Sequence, residues 1–327
     1  MAPPAPLALS VVAPLAALAI AVALDIAVAE PPRRVHPVAL FGSLVDPVDR
    51  SWSRPRLVGV AAAVGFPLAA AALAGGIAWG AALTHPALAV SVAGALLFSL
   101  VSLRMLREVT GEVVALTETD PDAARESIRA LVGRDAGDLS PAALRSAAVE
   151  SAAENLADGF VAPLAGFAAG VTVGLAVDPA SALPLSLGVA GAAWVKAVNT
   201  LDSMLGYRSK PVGWASARLD DAVMFLPARA TAACLAVAAG SVGTLSRARS
   251  WAREPGSPNS GWPMATAAAA LDVRLAKPGH YALNPTARSP SVADAERAVR
   301  LVGVAGAVAV AGTAGWLAAV AGVIAWS

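Results

Sequence analysis

Apolar residues fall along this chain in long unbroken runs, not in the alternating or three-four rhythm of a soluble fold. A helix needs about 20 mainly apolar residues to cross a bilayer. Stretches at 7–24, 57–83, 88–103, 160–177, 183–195 and 301–326 meet or approach that length. Asp178-Pro179 separates the fourth from the fifth and predicts a tight turn between antiparallel passes. The expected fold is an all-α polytopic membrane helix bundle of about six spans. The run 230–245 holds only about sixteen apolar residues, short of a span. It follows Pro227 and Arg229, and reads as a re-entrant or surface-lying helix.

Basic residues orient these runs by the positive-inside rule. Arg33, Arg34, Arg50, Arg54 and Arg56 follow the first run, and Arg104, Arg107, Arg125, Arg129, Arg134 and Arg145 follow the third. Lys196, Arg208, Lys210 and Arg218 follow the fifth. Segments of about 25–56, 104–159 and 196–300 are therefore expected in the cytoplasm, within a single membrane domain covering 1–327. Arg247, Arg249, Arg253, Arg274, Lys277 and Arg288 agree only if 230–245 does not cross. The connections Thr84-His85-Pro86 and 178–184 carry no Lys or Arg and suit the outside. Ala27-Val28-Ala29 has the small-x-small form of a cleavage site, but no basic residue precedes the first run, so an uncleaved span is expected.

Composition agrees with a multi-pass protein of the cell membrane. The 327 residues are 57% hydrophobic and 14% charged, where a soluble domain carries about 25% charged residues. Mean hydropathy is +0.64. A net charge of +1 gives no electrostatic footprint for nucleic acid. The one cysteine, Cys234, excludes an intramolecular disulfide and a thiolate zinc cluster, and in its Ala/Val/Leu surroundings it reads as a small hydrophobe. Abundant Ala and Gly predict close helix packing. No internal repeat or linker divides the chain.

Against this background the polar blocks stand out. Glu150, Glu154 and Asp158 recur at i, i+4 and i+8 and share one face of a predicted helix, with Asn155 and an Asp158-Gly159 turn before an apolar run. Like charges so placed repel, so either water covers the face or a cation or cationic substrate sits on it. Pro31, Pro32 and Pro37 force an extended path around His36, where an imidazole can donate, accept or bind phosphate, or simply sit in an interfacial turn. Lys196, Asn199 and Asp202 recur every third residue, and can meet phosphate, a carboxyl group and Mg2+. Arg218 with Asp220 and Asp221 looks like a metal and phosphate pair, or equally like a capped helix start with solvated acids. Ser257-Pro258-Asn259-Ser260-Gly261 makes a tight loop able to face an anion, without a Walker pattern. His85 and His280 lack partner spacing for a metal.

Taken together these blocks resemble the adenosylcobinamide-phosphate synthase (CobD/CbiB) family of cobalamin biosynthesis. The matching pieces are His36-Pro37-Val38 with Phe41-Gly42, then Glu150-Ser151-x-x-Glu154-Asn155-x-x-Asp158-Gly159 with Ala162-Pro163-Leu164. They continue as 196–207, then 214–221, Pro227-Ala228-Arg229 and Ser257-Pro258-Asn259-Ser260-Gly261, in the family's order over nearly the whole chain. The resemblance implies a ligase that uses ATP and Mg2+ to join a propionate carboxyl of the corrinoid adenosylcobyric acid to the amine of aminopropanol phosphate. An acyl phosphate is the expected activated form. Glu150, Glu154, Asp158 and Asp202 become candidate catalytic residues, and Asp220 and Asp221 candidate Mg2+ ligands. His36, Lys196, Arg208 and Arg218 become candidate phosphate or substrate holders, with Asn155, Asn199, Asn259 and Ser260 as orienting donors. A site on the cytoplasmic side and association with other cobalamin-pathway enzymes are further expectations. Two departures bear on the amine: Ala29-Glu30-Pro31 stands where the family usually has Gly-Asp-Pro, and the stretch between Tyr207 and Gly213 is shortened.

Three other readings compete. A transporter or corrinoid carrier would carry ionisable residues near the centres of its spans, whereas these acids sit at span ends and in loops. A lipid-type phosphotransferase would need Asp-Gly and Ala-Arg in one local motif, and here they lie about sixty residues apart. A noncatalytic membrane anchor for pathway enzymes is the third.

Overall fold

Proline sets many of the helix starts. Its missing N–H and fixed φ suit the first turn, and the computed structural model begins one helix after another with it. Residues 5–32, 34–131, 137–206 and 210–326 are described. Helices run in the order α1 (Ala5–Val28), α2 (Pro37–Val45), α3 (Pro55–Thr84), α4 (Pro86–Phe98), α5 (Leu103–Thr119), α6 (Pro121–Ser127) and α7 (Pro141–Leu156). A π-helical turn, Ala157–Val161, leads into α8 (Ala162–Val177). Then come α9 (Leu183–Leu205), α10 (Trp214–Val223), α11 (Phe225–Ala238), α12 (Gly243–Ala248) and α13 (Gly261–Leu271). A hairpin of β1 (Leu275–Lys277) and β2 (Tyr281–Leu283) precedes α14 (Val292–Trp326).

The all-α membrane bundle expected from the sequence is what the chain forms. Among the described residues four helical stretches are long and apolar enough to cross a membrane: Pro55–Thr84, Pro86–Thr119, Pro141–Val177 and Val292–Ile324. A fifth results if Pro211–Val223 and Phe225–Ala238, which meet at a bend, count together. Leu57, Val64, Leu68, Leu73 and Leu83 project from α3 with more than half of their surface exposed, as lipid-facing side chains do. Of the six expected runs, 183–195 lies in α9, whose second half carries Lys196, Asn199 and Asp202. Run 7–24 lies in α1, an apolar helix of 24 residues. The run 230–245 is broken: α11 ends at Ala238, and Gly240 takes a left-handed φ of 65°.

The chain folds as two compact units. One holds α1 to α4, α8 to α10 and α14 from Val310; the other holds α5 to α7, the π turn, α11 to α13, the hairpin and α14 up to Ala309. In the first, α9 is the central helix, flanked by α8 and α3, with α2 and α10 also against it. Asp178 makes the expected turn between α8 and α9, its carboxylate accepting from the Ala180 N–H at 3.1 Å. Along the α8–α9 seam, Gly166, Gly170 and Gly174 face Gly191, Leu187 and Pro184. A Cβ on Gly166 would stand 2.6 Å from the Gly191 carbonyl oxygen, and one on Gly170 would collide with the Leu187 carbonyl. Below this seam Val45, Ala63, Leu201 and Leu205 form an apolar cluster completed by Phe41, Phe66 and Met204, with Phe41 edge-on to Phe66 at 5.9 Å.

In the second unit α5 turns Leu106, Val113 and Val114 inward against α7. The hairpin was not anticipated. Its Pro278-Gly279 corner, with Gly279 at φ 73° and the His280 N–H bonded to the Lys277 carbonyl at 3.0 Å, has the features of a type II turn. β1 lies on α7 and both strands touch α13. A capping box starts α14: Asp294 Oδ2 accepts from the Ser291 N–H at 2.9 Å, and Ser291 Oγ accepts from the Asp294 N–H at 3.3 Å.

The glycine seam yields a stability prediction. Gly170→Val is expected to destabilise the protein by about 3 kcal/mol or more, because the added atoms overlap backbone that cannot move aside. Gly65→Ala on α3, where nothing lies within 4 Å of the new Cβ, is expected to be neutral or mildly stabilising. Thermal unfolding in detergent separates them; equal melting points would disprove the packing role of the seam.

Candidate functional site

In the first unit the polar groups gather at the C-terminal half of α9. Lys196, Asn199 and Asp202 line it at three-residue spacing as expected, and Asn199 is buried. The Asn199 amide donates to Asp220 Oδ1 at 3.4 Å, tying α9 to the acidic end of α10. Asp220 and Asp221 lie in the last turn of α10, so the reading of a capped helix start does not hold. Carboxylates there oppose the helix macrodipole, which favours a nearby cation. Arg218 lies on α10 one turn before Asp221. Only glycine fits at Gly206, where any Cβ would run into the Asp202 carboxylate. Lys210, beyond it, pairs with Asp49 at 2.6 Å. Arg208 lies outside the described residues.

His36 caps α2. Its Nδ1 accepts from the Val38 N–H at 3.2 Å, which leaves the proton of the neutral ring on Nε2, 3.8 Å from Glu30. Burial pushes its pKa below the ordinary value; Glu30 pulls it back up and the Lys196 charge lowers it further. A neutral imidazole already used as a cap is a weak phosphate holder. Close by, a largely apolar cavity of about 320 Å³ opens between α2, α3, α4 and α9, with Phe41, Phe66 and Ala70 among its walls and Lys196 and Thr200 among its few polar groups. Such a space fits the apolar part of a ligand whose anionic end meets an ammonium.

In the second unit the acidic face of α7 is not simply solvated. Glu150 is 3% exposed, and each of its oxygens accepts from a hydroxyl: Ser146 at 2.8 Å and Tyr281 at 2.6 Å. Ser146 in turn accepts from the Ala276 N–H at 2.9 Å, so the hairpin is latched onto this carboxylate. Glu154 is half-buried one turn further on, and Asn155 turns its amide back to the Ser151 carbonyl at 2.9 Å. Asp158 does not sit in a turn between elements, as its Asp-Gly sequence indicated. It lies in the π-helical turn of a helix running unbroken from Pro141 to Val177, which alters the i+8 register.

The last block places Asn259 against Arg229. Asn259 is buried, and its Oδ1 accepts from Arg229 Nη1 at 2.7 Å. Arg229 also donates to the Phe225 and Pro258 carbonyls at 2.9 and 3.2 Å. The guanidinium stacks on Phe225 at 3.8 Å, with Trp262 at 5.4 Å. Ser257 Oγ accepts from the Asn259 and Ser260 N–H groups at 3.2 and 3.4 Å, closing the loop. Arg229 and Tyr281 had been assigned no role from the sequence; the Pro227-Ala228-Arg229 block was a signal for the first, and nothing local marked the second. Among the described residues no group of three or more His, Cys, Asp or Glu is arranged to hold a metal.

The chain is thus an all-α polytopic membrane protein that carries clusters of acid, amide and cationic side chains. The chain matches the CobD/CbiB protein family over residues 18–320 and belongs to it. It is 35% identical over 304 residues to a probable cobalamin biosynthesis protein CobD of Methanothrix thermoacetophila, covering 89% of this chain and 92% of that one. It is 38% identical over 292 residues to the cobalamin biosynthesis protein CobD of Mycobacterium tuberculosis, covering 83% and 85% of the two chains. With the cobalamin biosynthesis protein CobD of Rhodobacter capsulatus it shares 37% identity over 313 residues, covering 88% and 92%. No solved structure matches the chain.

Two predictions concern the loop before α2. Ala29 is held at a left-handed φ of 69°, a conformation that costs a Cβ-bearing residue about 1–2 kcal/mol. Ala29→Gly is therefore expected to stabilise the protein by about 1 kcal/mol after glycine's extra chain entropy; a lower melting point would contradict this. Because the folded-state pKa of His36 is depressed, its contribution to stability is complete above the ordinary value of 6.5 and is lost as pH falls through the folded-state value. His36→Asn keeps a capping acceptor without the titration, so its stability should fall less than wild type on acidification below pH 6.5. Identical acid limbs for the two proteins would rule the role out.

Proposed function

We propose that this protein acts in cobalamin biosynthesis as a multi-pass ligase of the cell membrane. It joins a propionate carboxyl of adenosylcobyric acid to the amine of aminopropanol phosphate, with ATP as the activating reagent and its site on the cytoplasmic side. Family membership and the names of its relatives support the pathway. The reaction class is carried by the cluster in which Asn199 joins the α9 row of Lys196 and Asp202 to Asp220 on α10. An ammonium, an amide and several carboxylates around one helix end are what an acyl activation by phosphoryl transfer requires.

In this reading Lys196, Arg208 and Arg218 hold phosphate oxygens, with Asn155, Asn199, Asn259 and Ser260 as orienting donors. The Lys196 ammonium, beside the apolar cavity, is placed to receive an anionic end of a large ligand. Asp220 and Asp221, hard oxygen donors at a helix end that disfavours negative charge, fit Mg2+, which commonly takes one or two carboxylates and completes its shell with phosphate oxygens and water. That ion would offset charge on the transferred phosphoryl group. Glu154 and Asp158 are candidates to take the proton that the attacking amine releases, and Asp202 remains a further candidate. Any association with other enzymes of the pathway belongs to the same proposal.

The test uses the full chain purified in detergent with ATP, Mg2+, adenosylcobyric acid and aminopropanol phosphate. Adenosylcobinamide phosphate is the expected product, and ethanolamine phosphate in parallel reads the amine preference. Glu154→Gln is expected to lower turnover by about 10²-fold or more with little change in melting point. A well-folded variant with most of its activity would remove Glu154 from the chemistry, and an inactive wild type would remove the reaction.

A further inference from the structure

We infer that Arg229 is an anion-binding residue whose open guanidinium edge takes a phosphate group. Its ligand-binding geometry is built, not incidental. Both Nη1 hydrogens are used, one on the Phe225 carbonyl and one on Asn259 Oδ1, and one Nη2 hydrogen is used on the Pro258 carbonyl. Nε–H and the second Nη2–H are then the donors left without a protein acceptor among the described residues, the pair, or fork, through which a guanidinium meets two oxygens of a phosphate or carboxylate. Stacking on Phe225, with Trp262 beside it, holds the plane of the fork.

Charge makes the same point. Every acceptor that Arg229 meets is neutral, and among the described residues no carboxylate lies within ion-pair distance of it. A purely structural arginine at this place would be expected to face an acid, and Asn259 occupies the position where an isosteric aspartate would supply one. The chain thus keeps a fixed guanidinium, with no ion-pair partner among the described residues, in front of the Ser257–Ser260 loop. The N-terminus of α13 follows directly, and its partial positive charge adds to the same field.

The inference deepens the reading above, in which Asn259 and Ser260 orient a phosphorylated substrate, but its test needs no turnover. Two sources share the chemistry. One is the phosphoryl group of a soluble substrate; the other is the phosphate of a membrane lipid, since Phe225 and Leu226 beside Arg229 are 52% and 73% exposed. The full chain in a maltoside detergent, which carries no phosphate, is titrated with inorganic phosphate by 31P line broadening. Retention of phosphatidylglycerol is measured in parallel by native mass spectrometry.

Arg229→Gln removes the fork. Asn259→Asp keeps shape and loop but supplies the missing counter-charge. Both are expected to weaken phosphate or lipid binding by about tenfold or more, while Asn259→Asp keeps or raises the melting point. Loss in the phosphate arm names a soluble ligand, and loss in the lipid arm names a headgroup. Unchanged binding in both arms for Asn259→Asp, or no binding of either probe by the wild type, overturns the inference. Phosphate binding that depends on Arg229 in a protein that forms no amide would leave it standing and sink only the proposed reaction.

Discussion

The α8–α9 seam is the constraint from which the first unit takes its form. In a bilayer, lipid tails are as apolar as leucine, so burying methyl groups between helices gains little over leaving them in lipid. What holds helices there is close approach, with many weak dispersion contacts and carbonyls near one another's backbones. Gly166, Gly170 and Gly174 recur every four residues on α8 and remove the side chains that would keep α9 away. α9 then becomes the helix against which α3, α2 and α10 are laid. Because it is held along its apolar half, its polar half can present Lys196, Asn199 and Asp202 at fixed positions without contributing apolar contacts of their own.

The second unit solves a different problem, that of burying charge and amide groups. A carboxylate removed from water costs several kcal/mol unless it is hydrogen-bonded. Glu150 has both oxygens engaged by hydroxyls, one from its own helix and one from the hairpin 131 residues further on. The hairpin has only three residues per strand, and two-stranded hairpins this short are marginal alone. Its attachment through Tyr281 and the Ala276 N–H to one polar pair on α7 supplies what its own ladder cannot.

Much of the bundle was legible because the signals are local. Apolar runs gave the helices, Asp178-Pro179 gave the turn, and Pro37 gave an extended His36, though not the helix α2 that Pro37 itself begins where a surface loop was expected. The π turn at Asp158 was not legible, since glycine after aspartate is equally a turn signal, and only the continuation of the helix on both sides settles which it is. The hairpin was hidden by brevity: three-residue strands leave no alternation to read, and Pro278-Gly279 alone does not declare what it joins. Tyr281 and Arg229 were missed for another reason. Their meaning lies in partners 131 and 30 residues away, and no spacing rule reaches that far. Ala29 is the converse case, where the departure from the family's glycine marked a position that the structure does hold left-handed.

The bonding of Glu150 also narrows the acidic face of α7. Read from the sequence, Glu150, Glu154 and Asp158 were three equal candidates for a shared cation or a base. Each oxygen of Glu150 now accepts from a hydroxyl that would have to be released before the group could ligate a metal or take a proton, and both of those hydroxyls also anchor the hairpin. Releasing them would leave a half-buried tyrosine and a buried serine to be satisfied elsewhere and would loosen β1 from α7. The π turn, a feature often found at functional sites, lies at Asp158 and not at Glu150. Whatever relieves the like-charge repulsion along this face must therefore leave the Glu150 end in place, because the hairpin is anchored there.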